Sequence, residues 1–132
     1  MRAADAIEKS TRQSPELLQR WKYALLEQAS RLHDKEMRWH IAQLIPRLKL
    51  TPIERGTAVQ ILMGYLNDKS SIVRTFSTQA LADLAQNDGA LCAKLTPLIE
   101  RLTKTGTPAM RSRGRKLLTQ LHSVINEASD AD

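Results

Sequence analysis

The chain has 132 residues, enough for one domain of ordinary size, with 26% charged and 42% hydrophobic residues and a formal charge of +6. Leu and Ala supply 34 residues against 8 for Val, Phe, Tyr and Trp together, so the apolar content consists of helix formers and argues against an all-β or large-sheet fold. This balance excludes a wholly disordered chain, and no run of about 20 apolar residues is available for a membrane span. The first ten residues, polar and mixed in charge, resemble neither a secretion signal nor a mitochondrial presequence. The lone cysteine, Cys92, fits a reducing compartment, and the expected location is the cytoplasm.

In chain order, helices are predicted over 15–32, 35–49, 52–66, 70–86, 89–104 and 108–126, with a short extra helix at 3–12 and a frayed tail at 127–132. Each start carries its own punctuation. Ser14-Pro15 opens the first helix, Asp34 the second and Thr51-Pro52 the third, where Glu54 completes a capping box. Ser70, Asp88 and Thr107-Pro108 open the remaining three. Pro46 falls inside the second helix and should end or kink it. Gly114, inside the sixth, costs helix stability unless its missing side chain lets a neighbouring helix approach closely.

The six helices form three repeating pairs. Arg38, Arg74 and Arg111 are spaced by 36 and 37 residues, each preceded by an apolar residue: Met37, Val73 and Met110. Six, seven and ten places after each arginine come Leu44, Ala80 and Leu117; Ile45, Leu81 and Leu118; Leu48, Leu84 and Leu121. These offsets share one helix face and define a core stripe on the second helix of each pair. Matching positions on the first helix of each pair include Leu26, Leu62 and Ile99, and Ala29, Tyr65 and Leu102. The predicted core is Leu44, Ile45, Leu48, Leu62, Tyr65, Ala80, Leu81, Leu84, Leu98, Leu102, Leu117 and Leu121. A single domain of three units follows, 14–50, 51–87 and 88–126.

Residues Asp68 to Arg74 followed by Ala80 to Ala85, with Asp34 to Arg38 and Gly106 to Arg111 as weaker copies, resemble HEAT repeats of the α-solenoid family, and the likeness covers about residues 14–122. The resemblance implies an all-α superhelix of three helical hairpins, with the second helices on the inner face. It also implies that Asp34, Asp68, Arg38, Arg74 and Arg111 form a structural ladder between repeats. It implies no cofactor and no chemistry.

Catalytic motifs are missing from the sequence: His33, His40 and His122 are scattered, and there is no His-Glu-x-x-His, Cys-x-x-Cys or glycine-rich phosphate loop. No catalytic, metal-binding or cofactor-binding residue is assigned, and the chain is expected not to be an enzyme. The HEAT-like DNA glycosylases share the repeat grammar; their carboxylate and tryptophan would fall on Asp83 and Trp39, but nothing local matches their site. Cys92 reads as a buried or half-buried thiol and His40 as a surface residue.

Charge is the more informative signal. Between Arg101 and Asn126 stand six basic residues and no acidic one, while the rest of the chain carries fourteen of each sign. The whole net charge therefore sits in the third repeat. Positions one, four and five after each ladder arginine are expected to be exposed: Trp39, Ala42 and Gln43; Thr75, Thr78 and Gln79; Ser112, Arg115 and Lys116. From these and the flanking Arg113 comes a candidate partner-binding set of Trp39, Gln43, Thr75, Gln79, Arg113, Arg115 and Lys116. It suits a protein partner with an acidic segment, Trp39 serving as anchor or else packing on the neighbouring repeat. The alternative is weak, sequence-independent nucleic-acid binding through Arg111, Arg113, Arg115 and Lys116, although no aromatic residue interleaves that stripe for base stacking.

Overall fold

The computed structural model describes residues 22–29, 31 and 34–130. It is all-α, with no strand among the described residues. The helices are α1 (Lys22–Ala29), α2 (Lys35–Leu44), α3 (Pro52–Tyr65), α4 (Ser71–Leu84), α5 (Gly89–Thr105) and α6 (Pro108–Asp130), with a 3-10 turn at Ile45–Arg47 after α2. None is long and apolar enough to cross a membrane. The helices predicted at 3–12 and in the first part of 15–32 lie outside the described residues.

The punctuation read from the sequence acts as capping chemistry requires. The Asp34 carboxylate accepts from the N–H groups of Glu36 and Met37 at 2.9 and 3.2 Å. At α3 the Thr51 hydroxyl accepts from the Glu54 N–H at 3.3 Å while Glu54 accepts from the Thr51 N–H at 2.9 Å. Ser70, Asp88 and Thr107 each accept from an N–H three residues on, satisfying donors that a helix start leaves without a carbonyl. Pro46 ends α2 as expected: the α-helix stops at Leu44 and the proline sits in the 3-10 turn. By contrast, Pro97 is accommodated within α5, on an exposed side where the carbonyl that loses its donor faces water. The last helix runs to Asp130 rather than ending at 126. Glu127 and Ala128 are helix formers and neither glycine nor proline intervenes, so the expected frayed tail is helical through that point.

The chain divides into two compact units, residues 1–77 and 78–132. In the first, α1 packs against α2 and α3. Its core is built from Leu26, Ile41, Leu44, Ile45, Leu62 and Tyr65, all buried. Leu25 and Leu50 pack on the pair Leu44 and Leu48. In the second unit α5 packs against α6, around Leu81, Leu95, Ile99, Leu117 and Leu121, each at most 2% exposed. Of the predicted core, Leu98 and Leu102 are only half-buried. The buried line of α5 runs instead through Leu91, Cys92, Leu95 and Ile99, leaving those two on its margin.

Gly114 shows why the α5–α6 pair can be so close. A Cβ at this position would land on the Thr103 hydroxyl of α5. That hydroxyl in turn donates to the Ile99 carbonyl at 2.7 Å.

Candidate functional site

In the first unit two of the ladder residues, Arg38 and Asp68, pair with each other. Arg38 on α2 donates from Nη1 to the Asp68 carboxylate at 2.7 Å, a pair whose side chains are only 17% and 12% exposed. The Arg38 guanidinium also lies over the Tyr65 ring, 4.9 Å from its centroid. Tyr65 donates its hydroxyl to the Ala29 carbonyl at 2.6 Å. Tyr65 and Ala29 occupy the same position of successive repeats, so this bond ties the first helix of one pair to that of the next. Burial tends to raise the Asp68 carboxyl pKa, but hydrogen bonds from the Ser70 N–H and Arg38, with the charges of Arg38 and Arg74, hold it below the ordinary aspartate value. Burial, aided by the Asp68 charge against that of Arg38, pushes the Tyr65 hydroxyl up to about 12.

The other ladder residues do different work. Asp34 is exposed and caps α2. Arg74 donates to the carbonyls of Asp68 and Lys69 at 2.9 and 3.4 Å, and Arg111 donates from Nε to the Gly106 carbonyl at 2.9 Å. The reason is visible in the repeat: the acid that pairs with Arg38 stands six places before Arg74, and the matching positions before Arg38 and Arg111 hold Leu32 and Thr105, neither of them an acid. A second buried pair, which no sequence signal announces, joins α1 to α3. Lys22 reaches Glu54 at 2.8 Å and the Lys49 carbonyl at 3.2 Å. The hydrogen bond from Lys22, with that from the Thr51 N–H, holds the Glu54 carboxyl at about 2.

The candidate binding row is less open than its spacing suggests. Ala42 and Thr78, expected on the surface, are buried, because the covered arc of α2 and α4 is wider than the periodic stripe. His40 is buried rather than exposed and stacks on Trp39 with ring centroids 3.9 Å apart. Trp39 is half-buried and packs on Phe76 of α4 at 5.2 Å, contact with the neighbouring repeat. Gln43 and Thr75 are half-buried too, the Thr75 hydroxyl donating to the Ser71 carbonyl at 2.7 Å.

Arg113, Arg115 and Lys116 in the second unit are exposed. Arg113 donates from Nη1 to the Gln79 side-chain oxygen at 2.8 Å, and Gln79 donates from Nε2 to Asp83 at 2.9 Å. Burial raises the Asp83 carboxyl above its ordinary value, against the Gln79 hydrogen bond and the Arg113 charge. Asp83 thus helps to hold Arg113 in place. Arg111 on α6 and Arg101 and Lys104 on α5 are exposed as well. Among the described residues none of these six cations has a carboxylate within ion-pair distance.

Cys92 is buried and donates to the Ala85 carbonyl at 3.3 Å, and burial, with the nearby Asp88 charge, pushes its thiol up, away from the reactive thiolate. Among the described residues no three of His, Cys, Asp or Glu come together as metal ligands would. No family profile, curated protein or solved structure matches the chain.

Proposed function

We propose that the chain is a non-enzymatic interaction module, a short array of HEAT-like hairpins whose second unit receives an acidic segment of another protein on α6. The reading rests on one observation: Arg101, Lys104, Arg111, Arg113, Arg115 and Lys116 are exposed without carboxylate partners among the described residues. Cations left without carboxylate partners raise the local potential, speed encounter with an anionic partner and select against a cationic one. Arg113, already oriented by Gln79, has less freedom to lose when a carboxylate arrives. The HEAT-like character is supported in the first unit by the Arg38–Asp68 pair and by the bond between the equivalent residues Tyr65 and Ala29.

Phosphates would meet the same cations, which makes nucleic acid the second reading. Against it stands the sequence, which supplies no aromatic residue between Arg101 and Asn126 for stacking. Fluorescence anisotropy with a labelled peptide of alternating Glu and Leu, and in parallel with duplex DNA and single-stranded RNA, separates the two. The peptide should bind, and Arg113→Glu with Arg115→Glu and Lys116→Glu should abolish its binding. Nucleic acid should bind weakly at about 150 mM salt, with a log–log salt slope of roughly 3–4 if four phosphates are neutralised. Micromolar nucleic-acid binding at that salt, lost on the same charge reversals, would replace the first reading by the second.

A further inference from the structure

We propose that α3 carries a self-association site, at which two copies of the chain pair antiparallel and Ile53 of each enters a pocket beside Gly64 of the other. Ile53, on the first turn of α3, is 85% exposed. Eleven residues further along the same helix lies an open pocket of about 240 Å³, lined by Arg38, Gln60, Ile61, Gly64 and Tyr65. It exists because Gly64 has no side chain: a Cβ there would meet nothing within 4 Å, and the same holds at Gly56. Glycine inside a helix is less favourable than alanine, and at these exposed positions no neighbour among the described residues requires it.

The pocket suits an aliphatic side chain. Ile61 and Tyr65, both buried, line it together with Gln60 and Gly64, and its one charged residue, Arg38, is already matched by Asp68 at 2.7 Å. An anion would have to compete with that carboxylate, whereas an isoleucine side chain would not. The exposed stripe around it, Ile53, Gly56, Thr57, Gln60 and Gly64, contains no charged residue. On a chain of net charge +6 this is a face where two copies can meet with little repulsion from α3 itself.

Geometry singles out a second copy as the occupant. Ile53 and Gly64 recur on one side of the helix, about 16 Å apart along its axis at 1.5 Å per residue. In an antiparallel pair with a two-fold axis midway between them, Ile53 of each copy stands level with Gly64 of the other, and Thr57 with Gln60. One symmetric contact then fills both pockets and closes, leaving no further site to propagate a chain of molecules. A single helix face buries less than the roughly 800 Å² per partner of a standard interface, so the dimer is a weak, transient one.

Sedimentation equilibrium on the full chain, from about 5 μM to about 1 mM, tests it over a range that reaches weak association. The weight-average mass should climb from 14.9 kDa towards twice that value. Ile53→Glu and Gly64→Leu should each hold it at the monomer value up to the highest concentration. Gly64→Leu places a strong helix former in open space, so its circular dichroism and Tm should not fall, which separates lost association from lost folding. A wild-type mass that stays at 14.9 kDa throughout overturns the proposal. Association that survives either substitution overturns it as well.

Discussion

The two units use one repeat grammar and fasten their helices differently. In the first, long polar side chains cross from helix to helix: Lys22 to Glu54, Arg38 to Asp68 and Tyr65 to Ala29. In the second, α5 and α6 are brought together by subtraction, Gly114 leaving room for Thr103, and the cations stand outside with no carboxylate partner among the described residues. Charge used to hold helices together is not available to a partner, while charge left over is. That difference locates the candidate binding surface on the second unit and makes the first the more sensitive to pH.

Beneath that contrast both units rest on apolar burial, and the largest effects should be the same in each. Leu62→Ala in the first unit and Leu121→Ala in the second remove side chains that are fully buried. Each should cost about 2–5 kcal/mol in urea unfolding. A cost under about 1 kcal/mol at either would mean that the unit does not depend on the core described.

Breaking the polar fastening comes next. Arg38→Met leaves Asp68 without its ion-pair partner in a site where its side chain is 12% exposed, with the Ser70 N–H and Arg74 still nearby. The expected loss is about 2–3 kcal/mol, less than for a fully isolated buried charge because of Arg74. Asp68→Asn in the same background should recover part of it. If the single variant is as stable as wild type, the first unit is not fastened by this pair.

In the second unit the corresponding test is Gly114→Leu. The new side chain has to displace Thr103, whose hydroxyl bond to Ile99 would be lost. Overpacking of this kind costs about 1–3 kcal/mol. Gly64→Leu on the first unit serves as the control, since the same change in open space should not destabilise.

What the sequence makes legible is whatever every unit must repeat. Caps recur because every helix start has unpaired N–H groups, and the leucine stripe recurs because every second helix must bury a face; both are readable from spacing. Spacing misplaces Ala42, Thr78 and His40 because the arc a neighbour covers depends on packing partners that periodicity does not encode. Lys22 with Glu54, and Arg113 with Gln79, are illegible for a related reason. Each joins residues more than thirty positions apart without a repeated counterpart to betray the pairing. Arg38 with Asp68 is half-legible: the residue types are recognisable, but only the second repeat carries an acid at the required position. The role of Gly114 is half-legible: a missing side chain permits close approach, but Gly56 and Gly64 of α3, with nothing within 4 Å of an added Cβ, show that a glycine inside a helix does not by itself announce one.

Acid should separate the units further. The Glu54 carboxyl titrates at about 2 in the fold against 4.5 ordinarily, and that of Asp68 is also lowered. A depressed carboxylate contributes stability that is present above its unfolded value and is lost as pH falls through the folded one. The first unit should therefore lose stability from about pH 4.5 down to about 2. Asp83 has the opposite sign: its pKa is raised, so protonation favours the folded second unit as pH falls. Tm measured against pH should fall less steeply in acid for Glu54→Gln than for wild type, and Asp83→Asn should stabilise at neutral pH. Parallel acid curves for wild type and Glu54→Gln would show that the Lys22 pair is not what makes the fold acid-sensitive.

The smallest stability effect should come from the residues proposed to bind the partner. Arg115 and Lys116 are exposed and touch no carboxylate among the described residues, so replacing both by glutamate removes no contact that the fold uses. It also weakens the repulsion among the cations Arg111, Arg113, Arg115 and Lys116 of α6. Stability should change by less than about 0.5 kcal/mol, and if it moves at all it should rise. Binding of the acidic peptide should fall by at least tenfold in the same variant, equivalent to about 1.4 kcal/mol. A protein kept as stable, or made more so, while its peptide affinity collapses would show that these cations are kept for a partner. A clear loss of stability with affinity unchanged would show that they belong to the fold, and the contrast between the two units would then fail at the point where it bears on function.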